Sequence, residues 1–311
     1  MVRFLLRRLL QMVVAFFGTT LVVYAMMFGA QGDPIQALAG DKPVSAAQRA
    51  YLTEHFHLDR TGFAGFWYRY GDYVSHLVRG KLGDTLTLRP IADVLADAWP
   101  YTLKLTGIAM VFVVVVGVGA GLLAGVRRGG WFDAATLPLT LIVIGMPVVV
   151  LGFLGQYVLG LKLRLFPVAN QGTLSSLVLP ALLLGALSLA TTVRLTRTAV
   201  AENLRADYAR TARAKGLSRT RVVGVHVLRN SLIPVVTFLG VELGSLMAGA
   251  VVIENIFNVP GVGFALARAV RTDDGPTVVT IVSLLVVVFL IVNLLVDLLY
   301  ALLDPRIRYA G

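Results

Sequence analysis

Few polar side chains interrupt the long apolar runs of this sequence, and those few define the chemistry open to it. Glu242 lies midway along an apolar run over residues 232–253. Asn293, Asp297, Tyr300 and Asp304 follow one another at i, i+4, i+7 and i+11, forming one polar seam on an otherwise apolar helix. A carboxylate inside such a run is costly to desolvate and is kept where it meets protein or water. Glu242, Asn293 and Asp297 are therefore candidates to line a polar pathway. The structural alternatives are an internal hydrogen bond for Glu242 and pairing with an arginine for Asp297.

Covalent chemistry has no comparable support. There are no cysteines, hence no disulfide framework, thiol nucleophile or zinc knuckle. No phosphate loop of the form G-x-x-x-x-G-K-[ST] occurs, and Gly80-Lys81 lacks the rest of that pattern. ATP hydrolysis by that route is closed to this chain. His55-x-His57 comes nearest to a metal-binding spacing, without an HExxH or a carboxylate placed as in zinc hydrolases, so no metal is expected. No serine has an acid or base at catalytic spacing. The sequence does not read as an enzyme.

Charge is concentrated elsewhere. Residues 207–234 read DYARTARAKGLSRTRVVGVHVLRNSLIP, and from Arg194 to Arg229 nine Lys/Arg stand against only Glu202 and Asp207. Val200, Leu204, Tyr208 and Ala212 form an i+4 row, which predicts one helix running through all four. Gly216 stands where a left-handed residue would end that helix. Ser218 can cap a second helix, with Leu217 and Val222 as a hydrophobic staple, and that helix is expected to run until Pro234 opens the next apolar run. The result is a glycine corner between two helices. Ala212 and Ala214 there would permit close approach by another surface, surrounded by Arg210, Arg213, Lys215, Arg219 and Arg221. A loop held against anionic headgroups would explain the charge but not the capped corner. A docking element for a soluble partner explains both.

The surroundings of that corner belong in a bilayer. The 311 residues are 57% hydrophobic and 14% charged with a mean hydropathy of +0.79, whereas soluble domains are about a quarter charged. The net charge of +11 collects on segments assigned to one side of the membrane, which argues for lipid and against nucleic acid. A spanning helix takes roughly 20 apolar residues. Six runs qualify: 9–29, 102–126, 137–161, 177–193, 232–253 and 278–303. The first follows Arg3, Arg7 and Arg8 but is too long for a signal peptide and has no convincing cleavage site, so it reads as an uncleaved anchor. An even number of spans puts both termini on one side. That side holds the N-terminal arginines, Arg127, Arg128, the basic loop, Arg306 and Arg308, and the positive-inside rule makes it cytoplasmic. The expected architecture is all-α and integral to the membrane. Residues 1–30 form a cytoplasmic tip and first span, 31–101 a small helical extracytoplasmic insert, and 102–311 the core membrane domain with its cytoplasmic loop at 194–231.

Within the insert, Ser45 and Gln48 form a capping box that opens a helix to about Phe56. Phe66, Tyr70, Tyr73, Val74 and Leu77 predict a surface-lying amphipathic helix over 63–77. A third helix over 91–98 is expected to break at Trp99 and Pro100. This cap either packs simply or offers a surface to an outer partner. Gly117, Gly121 and Gly125 fall in one i+4 row, as do Gly240, Gly244 and Ala248 beside Ser245 and Gly249; small residues so spaced let helix backbones approach. For the later row, a helix that slides or lines a pathway is the second reading. Pro138 and Pro147 are expected to bend the third span.

The basic loop resembles the "EAA" coupling loop of ABC importer permeases, in the form found in the dipeptide/oligopeptide/nickel family. The general pattern is Glu-Ala-Ala, three residues, then Gly. The corresponding positions here are Arg210, Thr211, Ala212 and Gly216, with arginine in place of the acid, and the later Leu-Pro falls at Leu228-Arg229. Both departures are similar to the peptide subgroup, where RTARAKG followed by LRN is the usual form. RFLLRRLL at the start, LGD at Leu82–Asp84, ENIFNVPGVG at Glu254–Gly263 and VDLLYALLDPRIRY at Val296–Tyr309 extend the resemblance over nearly the whole chain. It implies a type I importer permease fold in the cell inner membrane. It also implies a heterodimer with a second homologous permease, two cytoplasmic ATP-binding subunits that hold ATP and magnesium, and an extracytoplasmic solute-binding protein. Arg210, Thr211, Ala212, Arg213, Ala214, Lys215, Gly216 and Leu217 would couple to the ATPases. Di- or oligopeptides are the implied substrate, although nickel, glutathione and other small solutes share the scaffold. Of the competing classes, a secondary transporter would show internal repeats or broken paired helices with midplane charges. A channel would need no docking corner.

Overall fold

A computed structural model describes residues 2–28, 45–55 and 62–303. Among these the secondary structure is helical, with one isolated antiparallel bridge between Asp84 and Pro90. The helices are α1 (Val2–Phe28), α2 (Ala46–His55), α3 (Gly62–Val78), α4 (Ile91–Val126), α5 (Trp131–Gly145), α6 (Val148–Lys162), α7 (Leu174–Leu184), α8 (Ala186–Asn203), α9 (Asp207–Ala214), α10 (Arg219–Ile256), α11 (Val262–Arg271) and α12 (Gly275–Leu303). Four stretches are long and apolar enough to cross a membrane: Leu6–Phe28, α4, α10 and Gly275–Val296. The bent pairs α5–α6 and α7–α8 raise the number to six if each pair is one span. The chain forms two compact units, one made of Met1–Tyr101, Pro260–Leu294 and Leu303–Gly311, the other of Thr102–Val259 and Leu295–Leu302.

In the second unit, the glycine row of α4 does what its spacing predicts. A Cβ on Gly121 would lie 2.6 Å from the Val193 carbonyl oxygen, and one on Gly125 would lie 2.9 Å from that of Arg197. At Gly117 the neighbour is Thr192, at 3.0 Å. The backbones of α4 and α8 thus lie against each other at Gly121 and Gly125, an approach that suits glycine, since lipid supplies no hydrophobic drive for helix association. In the α10 row, a Cβ on Gly240 would lie 2.5 Å from Val296, whereas Gly249 meets Leu184 at an ordinary 3.5 Å.

Proline acts unevenly. Pro147 ends α5 as expected: Met146 is forced extended (φ −94°, ψ 131°), and α6 leaves at 109°. The α7–α8 bend of 56° centres on Gly185, where a Cβ would lie 2.9 Å from Val113. Pro100 does not break its helix, contrary to expectation. Its ring faces outward, and buried Ile91, Leu95 and Ala98 before it and Thr102, Leu105 and Ala109 after it fix α4 on both sides. That burial offsets a proline penalty of about 3 kcal/mol. Pro234 likewise lies inside α10, so the second loop helix and the following apolar run form one continuous helix from Arg219 to Ile256.

In the first unit, Ser45 caps α2 by accepting from the Gln48 amide at 3.2 Å, while the Gln48 side chain reaches out to the Leu86 carbonyl at 2.8 Å. Helix α3 carries the expected aromatic stripe, but protein covers it. Tyr70 and Val74 join Tyr24, Phe28, Leu52 and Val279 in one cluster. The Tyr24 ring stacks on Phe28 at 4.5 Å, and the Tyr70 hydroxyl meets Thr20 at 2.9 Å. Residues 29–44 and 56–61, including Phe56 and His57, lie outside the described residues, as does the sequence from Asp304 onward.

Gly121→Ala is expected to lower thermal stability in detergent by about 1–3 kcal/mol, because the blocking atom is a backbone carbonyl that cannot rotate away. Gly107→Ala on the same helix, where nothing lies within 4 Å, is the matched control and leaves the melting temperature unchanged or raised. Equal shifts in both would refute the close-approach account.

Candidate functional site

The basic elbow is built by local rules acting on a small apolar core. Helix α8 stops at Asn203, so the predicted single helix through Val200, Leu204, Tyr208 and Ala212 is in fact two. The break has visible causes. Asn203 donates to the Ala199 carbonyl at 2.8 Å and to Ser231 Oγ at 3.2 Å, and it accepts from the Tyr208 hydroxyl. Ala206 is extended (φ −65°, ψ 151°), and Arg213 donates to the Leu204 carbonyl freed by the break. The buried face of α9 is therefore Ala209 and Ala212, not Tyr208, and it packs with Val200, Val222 and Val227.

Helix α9 ends in a Schellman turn. Gly216 is left-handed (φ +79°), its amide donates to the Arg213 carbonyl at 3.0 Å, and the Leu217 amide donates to that of Ala212 at 3.3 Å. Leu217 folds back onto the same core. Ser218 then caps α10, accepting from the Arg221 amide at 3.4 Å. The first full turn of α10 is π-helical over Val222–Val227, which sends Val222 and Val227 inward together.

Arg210, Thr211, Arg213, Ala214, Lys215 and Gly216 are exposed, as are Arg219 and Arg221. Ala212 is buried at 6% exposure, so of the two alanines at the corner only Ala214 is open to another molecule. Arg210 and Asp207 lie 3.6 Å apart but are highly exposed, a pairing of little consequence for stability. Arg219 donates to the Val126 carbonyl at 3.4 Å, tying the elbow to the end of α4.

A second tie lies behind the elbow. Arg197 on α8 holds Asp133 on α5 through two N–H donors, the Nη2 bond at 2.8 Å, and Asp133 also accepts from the Gly129 amide at 2.9 Å. Their side chains are 17% and 5% exposed. No local pattern reveals this pair, because its members are 64 residues apart.

The pathway candidates divide. Glu242 is half-buried and accepts from Ser188 Oγ, just past the Gly185 bend, so the hydrogen bond exists. Asn293 is half-buried and donates to the Phe289 carbonyl one turn back at 2.9 Å. The Asp297 side chain lies outside the described residues. A third acid was missed: Glu254 is fully buried and accepts from Thr102 Oγ1 at 2.6 Å. It escaped notice because the fifth apolar run was ended at Ile253, whereas α10 continues to Ile256.

The elbow behind a set of apolar helices is the plan of a membrane transport subunit, and residues 117–309 match the family of binding-protein-dependent transport system inner membrane components. The chain belongs to this family. It is 35% identical to the dipeptide transport system permease protein of Escherichia coli (strain K12), over 99% of both chains. It is 37% identical to the di/tripeptide transport system permease protein of Pseudomonas aeruginosa (strain UCBPP-PA14), again over 99% of each. It is also 37% identical to the glutathione transport system permease protein of Escherichia coli O6:H1, over 99% of this chain and all of the relative.

Removing either member of the Asp133–Arg197 pair is expected to destabilise the chain. A double-mutant cycle with Asp133→Asn and Arg197→Gln should give a coupling of about 1–3 kcal/mol from unfolding midpoints. Additive effects would mean the pair contributes nothing.

Proposed function

We propose that this chain is the permease subunit of an ATP-driven importer of di- or oligopeptides, crossing the inner membrane six times with both termini in the cytoplasm. The observation that carries the reading is the elbow: a Schellman corner with Ala214 and Gly216 open and five cations around it, resting on a core shared with α4, α8 and α10. Such an element suits docking by a soluble ATPase, and the sequence of this chain carries no phosphate loop of its own. The peptide substrate rests on the relatives named for dipeptide and di/tripeptide transport, and the one named for glutathione is itself a tripeptide system in the chemical sense.

The partners follow from this reading: a second homologous permease, two cytoplasmic ATP-binding subunits and an extracytoplasmic solute-binding protein. The segment 31–101 lies outside the membrane in this arrangement. ATP binding would move the elbow as a lever, and α5 to α12 would alternate between inward- and outward-open states. That requires the elbow to bind the two ATPase states with different affinity, because equal contacts shift no equilibrium. Broken helices α5–α6 and α7–α8 are a feature that secondary transporters share, but such a transporter has no use for the capped elbow.

Gly216→Pro cannot adopt φ +79° and loses the N–H that closes the corner. The variant is expected to insert in the membrane yet lose at least about nine-tenths of ATP-driven peptide uptake when assayed with its partners, a deficit of about 1.4 kcal/mol or more in coupling. Wild-type uptake would remove the lever. Ala214→Trp is expected to abolish co-purification of ATPase subunits in detergent, while the same change at exposed Leu165 is tolerated. Retention of the ATPases by the Ala214 variant would place docking elsewhere.

A further inference from the structure

Arg69, in the first compact unit, carries its charge in a largely buried setting. It is 7% exposed and lines a cavity of about 610 Å³. Among the described residues, its Nε and Nη1 are buried without a hydrogen-bond partner. Lysine can escape burial by losing its proton, but a guanidinium cannot. Buried N–H groups are almost always paired, so a cation in this state marks a place for an anion.

The cavity walls narrow the choice of anion. Tyr24, Phe28 and Tyr73 supply apolar and aromatic surface, and Glu54, Asp72 and Asp84 bring three carboxylates to the same space. Two of these are oriented from within the unit: Asp84 accepts from the Tyr51 hydroxyl at 2.8 Å, and Asp72 sits 3.3 Å from His76 Nδ1. Burial first, then the bond to Asp84, pushes the Tyr51 phenol up to about 12, and burial does the same to Tyr73. Both stay protonated at neutral pH, and Tyr73 donates to Ser283 at 2.7 Å. A net anion would meet repulsion from the three carboxylates. A molecule with a carboxylate at one end and an ammonium at the other would meet a partner at each.

We propose that this cavity binds a short zwitterionic peptide, with its C-terminal carboxylate on the Arg69 fork and its ammonium toward Asp72, Glu54 and Asp84. The planar guanidinium suits a carboxylate through two parallel N–H bonds. The volume lies within the range of about 300–1,000 Å³ usual for small-molecule sites. Neither Glu242 nor Asn293 is among its lining residues. The proposal rests on the peptide reading above and adds to it a place of recognition on the permease itself.

The test uses the assembled permease pair with its ATPases, in nanodiscs of phosphatidylcholine, without ATP or solute-binding protein. Equilibrium binding of radiolabelled alanyl-alanine is measured, with alanyl-alanine amide and N-acetyl-alanyl-alanine as competitors. Wild-type assembly should bind the free dipeptide saturably, and each blocked form at least about tenfold more weakly. Arg69→Gln should weaken the free dipeptide at least about tenfold while leaving the affinity of the amide unchanged, with ATPase activity retained. Absence of wild-type binding, equal affinity for acid and amide, or an Arg69→Gln loss equal for both would overturn the site. So would a phospholipid that co-purifies with wild type and is lost in Arg69→Gln without any effect on dipeptide binding. If Arg69→Gln fails to assemble, the acid-against-amide contrast on wild type decides. ATP-driven dipeptide uptake, measured separately with the binding protein restored, tests the transport reading. Uptake without Arg69-dependent binding removes this site alone, and carboxylate-dependent binding without uptake removes transport alone.

Discussion

The contact between the backbones of α4 and α8 is the constraint on which the second unit depends. Three glycines in an i+4 row bring the helices together until, at Gly121 and Gly125, a Cβ would come within 2.6 and 2.9 Å of carbonyl oxygens of α8. In lipid, packing of this kind has to supply what the hydrophobic effect supplies in water. The consequences reach further than the row itself. Leu122 and Val126, at the end of α4, become part of the core under the elbow, and Arg197, whose carbonyl meets Gly125, is placed to hold Asp133. One small-residue stripe therefore fixes both the floor of the elbow and its anchor.

The elbow behaves as a rigid attachment more than a flexible loop. Its corner is closed by two backbone bonds, its next helix is capped by Ser218, and its inner face is formed by five buried residues. The continuity of α10 matters here. A single helix runs from the cap at Ser218 to Ile256, past Glu242 and Glu254, with Pro234 accommodated on an outward face. One helix, π-helical over Val222–Val227 and α-helical beyond, therefore joins the corner to the apolar body. Glu242, which accepts from Ser188 near the Gly185 bend, lies along that helix.

What was legible in the sequence follows short-range rules. The glycine row, the left-handed Gly216, the Ser218 cap and the Ser45 cap all depend on residues within a turn of one another, and all appear in the structure. The misreadings come from longer range. The i+4 row from Val200 to Ala212 promised one helix, but Asn203 bonds across to Ser231, 28 residues away, and the chain turns there. Pro100 and Pro234 looked like breaks because local reasoning cannot see burial on either side of them. The Asp133–Arg197 pair, the buried Glu254 and the buried Arg69 are properties of assembled surfaces. Their residue types are plain in the sequence, and their situations are not.

The sharp turn at Pro147 has a consequence for what can surround it. Cutting a helix at 109° leaves amides and carbonyls at two fresh ends. Oil has nothing to offer such groups, so in a bilayer they tolerate only water or another polypeptide. The bend near Met146 is therefore unsuited to bare lipid.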